Sequence, residues 1–360
     1  MNRMHGWTAA WGVLLVGLLP GLSAGKDVSL VVTNAPVSDA VRQLQRESGY
    51  PIQFYWGGGE GKRVTLDLRN VPFFRALGEL AKAAGCSYDS WRPGEFSLMP
   101  GRAKDPPIHI EGPFRFAMLS IAREMDLTFG GRAEPTLRLA LELMWEPDAQ
   151  VVGANDTLNV ALARSGEGQT LAAVSVLADT RTRYSQSSYY GGLKRSYMAY
   201  LKPPEAAGGE LAELRGFVTL TVCERMDEVR FENPTRADNE KRKTGEAEIT
   251  LYSLSREGDH YTALVGLPAS LPGQRSGSGQ YTTQMSGAEL ILVDDAGQQH
   301  RSQGVYSTSS STSAYRQSVR MGMRFPELPA GRKPVALIYR YPAATRDVDV
   351  GFEFKNLPLP

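Results

Sequence analysis

The sequence predicts an α+β N-terminal domain of order βαββαββ, followed by a mainly-β remainder folded as two antiparallel β-sandwiches. Three observations predict it. Residues 28–49, VSLVVTNAPVSDAVRQLQRESG, align without a gap on residues 64–85, VTLDLRNVPFFRALGELAKAAG, at an offset of 36. Each copy passes from the period-two spacing of a strand to the 3.6-residue spacing of a helix. Beyond residue 107 the period-two pattern dominates, as in TLRLALELMW (136–145) and DVDVGFEF (347–354), with turn-forming residues between such runs.

The chain opens with Arg3, an apolar run from Trp7 to Leu19, then Pro20 and the small residues Ser23, Ala24 and Gly25. Such a run is too short to span a bilayer and reads as a secretory signal peptide cleaved near Gly25, with an uncleaved N-terminal anchor as the alternative. The division that follows is 1–25 signal peptide, 26–105 α+β domain, 106–204 first sandwich and 205–360 second sandwich. Arg3 is the one charged residue among the first 25, so the rest of the chain carries 39 basic against 39 acidic residues. That balance gives no electrostatic case for nucleic acid or an anionic membrane as partner. No later segment reaches 18 apolar residues, so no integral membrane segment is expected after signal removal.

In the first copy Leu30 and Val32 alternate as strand residues; in the second Val64, Leu66 and Leu68 do so. Both strands break at Asn-x-Pro. Proline is tolerated at the start of a helix, where its missing N–H would be unbonded anyway. Val37, Ala40, Val41 and Leu44 then recur at i, i+3, i+4, i+7, and Phe73, Ala76, Leu77 and Leu80 repeat the spacing. Gly49 and Gly85 suit left-handed caps. Strands YPIQFYW after the first helix, and CSYDSW and FSLMP after the second, let both helices pack on one face of a small mixed sheet.

Residues 64–101, VTLDLRNVPFFRALGELAKAAGCSYDSWRPGEFSLMPG, resemble the short N-terminal domain shared by secretins and TonB-dependent receptors (STN). The residues that carry the likeness are Asn70, Val71, Pro72, Ala76, Leu77, Gly85 and Tyr88, and it extends over residues 27–99. The resemblance implies a periplasmic protein-docking module without catalytic residues. It stops there: about 260 residues follow, and they lack the ten-residue alternation and aromatic girdles of a receptor barrel.

In that remainder Leu137, Leu139, Leu141, Leu143 and Trp145 fall on one strand face, Leu158, Val160 and Leu162 on another, and Val319, Met321, Met323 and Phe325 on a third. Val348, Val350, Phe352 and Phe354 make a fourth. LKPPEAAGGE (201–210) supplies the break between two Ig-like sandwiches. FRFAMLSIAREMDLTF (114–129) fits a strand through Phe116, Met118, Ser120 and Ala122, or a helix through Met118, Ile121, Ala122 and Met125. The strand reading is preferred because TLRLALELMW would close a hairpin with it.

Catalytic chemistry finds little support. GLSAG (21–25) matches a nucleophile elbow only formally, inside the leader. WGGGEGKR (56–63) precedes a strand, so no helix N-terminus stands behind its glycines to hold phosphate. His109, His260 and His300 lie apart from one another and from Cys86 and Cys223, which read as two reduced, packed thiols. No catalytic, metal or cofactor residues are expected. The candidate partner-contact residues are Phe54, Tyr55 and Trp56, read either as a sheet edge or as core, and Tyr184, Tyr189 and Tyr190 in a polar loop. The expected function is a non-enzymatic, secreted or periplasmic docking or assembly component with an envelope protein partner. Two alternatives stay open: a glycan- or surface-binding sandwich protein, and a hydrolase with its site on sandwich loops.

Overall fold

The computed structural model describes residues 24–55, 61–90, 94–101, 105–126, 134–173, 193–204, 209–244, 247–268, 288–302, 304–313 and 316–360. Most of residues 1–25, Trp56, Tyr184, Tyr189 and Tyr190 lie outside them. The described chain is mostly β, in several sheets, with two short helices.

Seven elements come first: β1 (Asp27–Pro36), α1 (Val37–Ser48), β2 (Ile52–Phe54), β3 (Arg63–Pro72), α2 (Phe73–Ala84), β4 (Cys86–Asp89) and β5 (Phe96–Pro100). The two repeat copies exchange ends. β1 and β3 pair antiparallel with Asp27 opposite Pro72 and Pro36 opposite Arg63, so the start of each copy meets the end of the other. The same exchange governs the hydrogen bonds: Val37 N–H donates to the Lys62 carbonyl at 3.1 Å, and Phe73 N–H donates to the Lys26 carbonyl at 2.8 Å. Asn34 N–H donates to Thr65 Oγ1 and Asn70 N–H to Ser29 Oγ. Every one of these pairs maps onto its counterpart by the offset of 36, which is a local twofold written into one chain.

The exchange explains residues that strand and helix propensity do not. Pro36 and Pro72 precede the helices and offer no side-chain cap, so the opposite copy's lysine carbonyl takes one of the first-turn N–H groups that would otherwise be orphaned. Asn34 and Asn70 stand at φ 45° and 49°, the left-handed region that asparagine tolerates better than most residues. Gly49 and Gly85 close the helices at φ 73° and 64°, as expected. All eight helix positions predicted to be apolar contacts are buried.

The seven elements form two sheets rather than the single mixed sheet expected from the sequence, because β1 and β3 satisfy each other. β5 lies between β2, parallel to it, and β4, antiparallel to it. The helices touch strands of both sheets. Between them sits an aromatic core in which Phe73 is 5.0 Å from the Tyr50 ring, edge-on, and 5.1 Å from Phe96.

Twelve residues or fewer make most of the remaining strands: β6 (Ile108–Glu111), β7 (Phe114–Asp126), β8 (Glu134–Trp145), β9 (Val151–Ser165), β10 (Lys194–Leu201), β11 (Glu210–Glu232), β12 (Glu240–Thr244), β13 (Ala247–Glu257), β14 (His260–Pro268), β15 (Glu289–Asp294), β16 (Gln299–Arg301), β17 (Gly304–Ser313), β18 (Arg316–Phe325) and β19 (Pro334–Pro358). They form three sheets of order β10-β8-β7-β6, β16-β15-β19-β11-β9 and β12-β13-β14-β18-β17. β11 and β19 pair almost end to end, from Glu210 opposite Pro358 to Glu232 opposite Ala336. One end of this long ribbon, through Leu214, Val218, Val350 and Phe352, shares a buried cluster with Phe116, Leu139 and Leu141 of the first sheet. Its other end, through Phe231, Leu337 and Tyr339, shares a cluster with Leu251, Val265 and Phe325 of the third. Backbone pairing therefore crosses the Leu201–Glu210 segment, since β9 before it pairs with β11 after it.

The segment with two readings, 114–129, is strand β7 as far as Asp126, hairpinned to β8 with Phe114 opposite Trp145. The register shifts between Met118 and Ser120. Phe114, Phe116 and Met118 face the core; past the bulge Ile121 takes the inward phase, while Ser120 is exposed and Ala122 is outside the core cluster. One extra residue thus turned a strand pattern into something helix-like. A second shift, between Arg215 and Gly216, lies where β9 carries the extra residue Ala161; Ala163 is buried and Leu162 is not among the core.

Two substitutions test this packing. Phe73→Ala should cost about 3–5 kcal/mol, read from the urea midpoint. At Gly216 an added Cβ would lie 2.2 Å from the Asn159 carbonyl oxygen and 2.6 Å from the Phe352 ring. Gly216→Ala should therefore destabilise by at least about 1–3 kcal/mol although it deletes no contact, while Gly258→Ala, in open space, should lose only the left-handed backbone preference.

Candidate functional site

Of the candidate contact residues, two are described. Phe54 is half-buried against the core cluster, and Tyr55, one residue on, is 44% exposed. The reading of IQFYW as edge or core is thus divided: Ile52 and Phe54 face in and Tyr55 faces out. β2 is the outer strand of its sheet. Its Ile52 carbonyl accepts a bond from the Gln45 side chain at 3.0 Å, so helix α1 already covers part of that edge.

A second feature, with no motif in the sequence, lies where the N-terminal elements meet the β10-β8-β7-β6 sheet. Tyr88 presents its ring to the Arg115 guanidinium at 5.1 Å, and Arg115 reaches Glu142 at 3.3 Å. Lys194 bridges Asp89 at 2.5 Å and Glu142 at 3.8 Å. Ser90 Oγ accepts the Leu193 N–H.

Beside this ion network sits Glu146, which follows the last core residue of β8 and is 1% exposed. Its Oε2 accepts the backbone N–H of Lys26 at 2.9 Å and the hydroxyl of Tyr50 at 2.9 Å. The Tyr50 oxygen also lies 3.1 Å from Asp148 Oδ2. Oε1 of Glu146 is buried without a hydrogen-bond partner. The Lys26 ammonium lies 5.2 Å over the Tyr50 ring rather than on the carboxylate. Gly25 threads past Gly112 so closely that a Cβ there would sit 2.2 Å from the Gly112 carbonyl oxygen.

Burial pushes the Glu146 carboxyl up to about 7, and the neighbouring Asp148 adds to the rise against the opposing bonds from Lys26 and Tyr50. A phenol has one hydroxyl proton, so Tyr50 can fully serve only one of the two facing carboxyl groups at a time. Burial and the two acids raise the Tyr50 phenol as well.

Among the described residues each histidine lies beside an acid. His300 Nε2 lies 3.0 Å from Asp294 Oδ2, while Asp294 Oδ1 accepts the Ala296 and Gln298 N–H groups, so the Asp organises its own turn. The His300 bond, with these N–H groups, holds the Asp294 carboxyl below its usual value. His260 contacts Asp259 and Glu257, and His109 contacts Glu111. Among the described residues no group of three or more His, Cys, Asp and Glu is placed to hold a metal ion. Cys86 and Cys223 are free thiols. No helix among the described residues is long and apolar enough to cross a membrane.

Comparison of the chain with protein-family models, with curated proteins and with solved structures gave no match.

The raised Glu146 carboxyl has a definite sign. Between its ordinary value of 4.5 and about 7 the folded chain holds more protons than the unfolded one. The stability from this group is complete below 4.5 and is lost as pH rises through 7. In a chain that retains Gly25, urea midpoints should therefore fall across that window, and Glu146→Gln should flatten the fall.

Proposed function

We infer that this chain is an exported, non-enzymatic envelope protein whose N-terminal domain docks a protein partner while two β-sandwiches carry it. The leader-like residues 1–25 support export. The order β1 α1 β2 β3 α2 β4 β5 is the one expected from the residue pattern, and its second half, strand, helix and two closing strands, matches the stretch that resembles the STN domain, which supports reading residues 26–105 as a docking module. Shared clusters between facing sheets support the sandwich reading of the remainder, with β11 and β19 common to both.

Tyr55 is the observation that carries the docking site. A large aromatic at the end of an outer strand keeps nearly half its surface in water while its neighbours Ile52 and Phe54 are packed. Tyrosine supplies broad contact area at low entropic cost, together with a hydroxyl that bonds to a partner. The glycan alternative loses one of its aromatic platforms, since Trp145 is only 8% exposed. The hydrolase alternative would need a nucleophile at one of the histidines, whose partners are carboxylates.

A photo-crosslinking residue placed at Tyr55 in the full chain, expressed in a Gram-negative envelope, should give a discrete adduct that the same residue at Arg256 does not. The same adducts from both positions, or none from Tyr55, would overturn the docking site.

A further inference from the structure

Glu146 is a buried carboxyl with too few partners. Asp148 stands beside it, its Oε1 is unpaired, and the Lys26 ammonium, which favours the carboxylate through space, lies over the Tyr50 ring rather than on the acid. An uncompensated carboxylate at such a site is unfavourable enough to be ordinarily excluded unless a cation or a proton is supplied. Two groups touch its Oε2, the Tyr50 hydroxyl and the main-chain nitrogen of Lys26, each at 2.9 Å, and only the nitrogen can become a cation. That nitrogen also belongs to the residue after Gly25, where the small residues Ser23 and Gly25 suit leader cleavage.

We propose that cleavage after Gly25 turns this nitrogen into an α-ammonium group that seats on Glu146, so that maturation of the N-terminus supplies the missing charge at the junction and locks the N-terminal elements onto the β-sheets. The proposal rests on the export reading above. Hydrolysis by a leader peptidase breaks the Gly25–Lys26 peptide bond and consumes one water: Gly25 leaves as a carboxylate and Lys26 keeps its nitrogen as –NH3⁺. A neutral amide that offers one proton becomes a cation that offers three. Because Lys26 carries the carbonyl that receives Phe73 N–H, a fixed Lys26 anchors helix α2 and strand β1 together.

The groups facing the carboxylate are Tyr50 after α1, Asp148 after β8, and the amine and side chain of Lys26. With the ammonium in place the loss of stability moves to higher pH. The ammonium lowers the Glu146 carboxyl, and stability is lost only as pH rises through the α-amino group, whose ordinary pKa is about 7.7–8.0 and which the ion pair raises.

The test compares two wild-type chains released from fusions by a protease that leaves no extra residue, one beginning at Lys26 and one at Gly25. At pH 7 the Lys26 chain should have a folding equilibrium constant at least about tenfold larger, and its urea midpoint should hold level from pH 5 to 8 where that of the Gly25 chain falls. Glu146→Gln should abolish the difference. An α-amine reagent, 2-pyridinecarboxaldehyde, should label the Lys26 chain at least about tenfold more slowly when native than in urea, and this reading needs no mutant. Equal midpoints, or fast native labelling, overturn the ion pair whatever the biology. The mass of the protein exported with its own leader tests the other half. A start at Lys26 supports the claim that cells make the ammonium, and any other start overturns the cut on which that claim depends while leaving the two released chains to report on the ion pair.

Discussion

The exchange of chain ends between two copies of one segment is the constraint on which the N-terminal elements depend. Neither copy can satisfy its own helix start, because a proline stands where a capping side chain would. Each therefore takes a carbonyl from the other, Val37 from Lys62 and Phe73 from Lys26. The strands that deliver those carbonyls are the ones that pair, so a single arrangement closes the β1–β3 ribbon and seats both helix starts. The lysines do double service: Lys26 and Lys62 come close to Gly49 and Gly85, at the helix ends where backbone carbonyls favour a cation.

What the exchange leaves open is as informative. β2 and the equivalent β4 do not pair with each other as β1 and β3 do; β5 lies between them. The twofold is broken there, and the breaks are where the rest of the chain attaches. Tyr50 goes to Glu146 and Asp148; its counterpart at offset 36 is Cys86, a buried thiol. Tyr88, Asp89 and Ser90 meet Arg115, Lys194 and Leu193. Beside the apolar cluster they share, two polar contacts, one built around a buried acid with one unpaired oxygen and one around a buried arginine, join a repeat-derived unit to sheets that share none of its pattern.

Beyond the junction the organising element is a ribbon of two strands more than twenty residues long. Strands this long curl and twist, and a sheet on one end of such a ribbon need not lie over the same face as a sheet on the other. The register breaks in β11 near Cys223 and Arg225 separate the residues that join the first cluster, up to Val222, from those that join the second, from Val229 on. The two larger hydrophobic clusters are thereby hung on one continuous pair of strands.

The sequence by itself determined the local units: the repeat, both helices to within a residue of their glycine caps, and the strand character of nearly every period-two run, because these follow from spacing and from what Pro, Asn and Gly allow the backbone to do. It also marked Phe54 and Tyr55 as worth watching, but alternation alone could not say which faced the core. Bulges at Leu119 and Ala161 hid their phase shifts, since one inserted residue leaves the composition of a strand unchanged. The partners of Glu146 were illegible for a different reason. Lys26, Tyr50, Glu146 and Asp148 span more than a hundred residues, each is ordinary where it stands, and only the folding of β8 against the exchanged repeat brings a main-chain nitrogen onto a buried acid. Patterns short enough to read along the chain record how a segment folds; charge complementarity between distant segments exists only once the tertiary structure has removed the water between them.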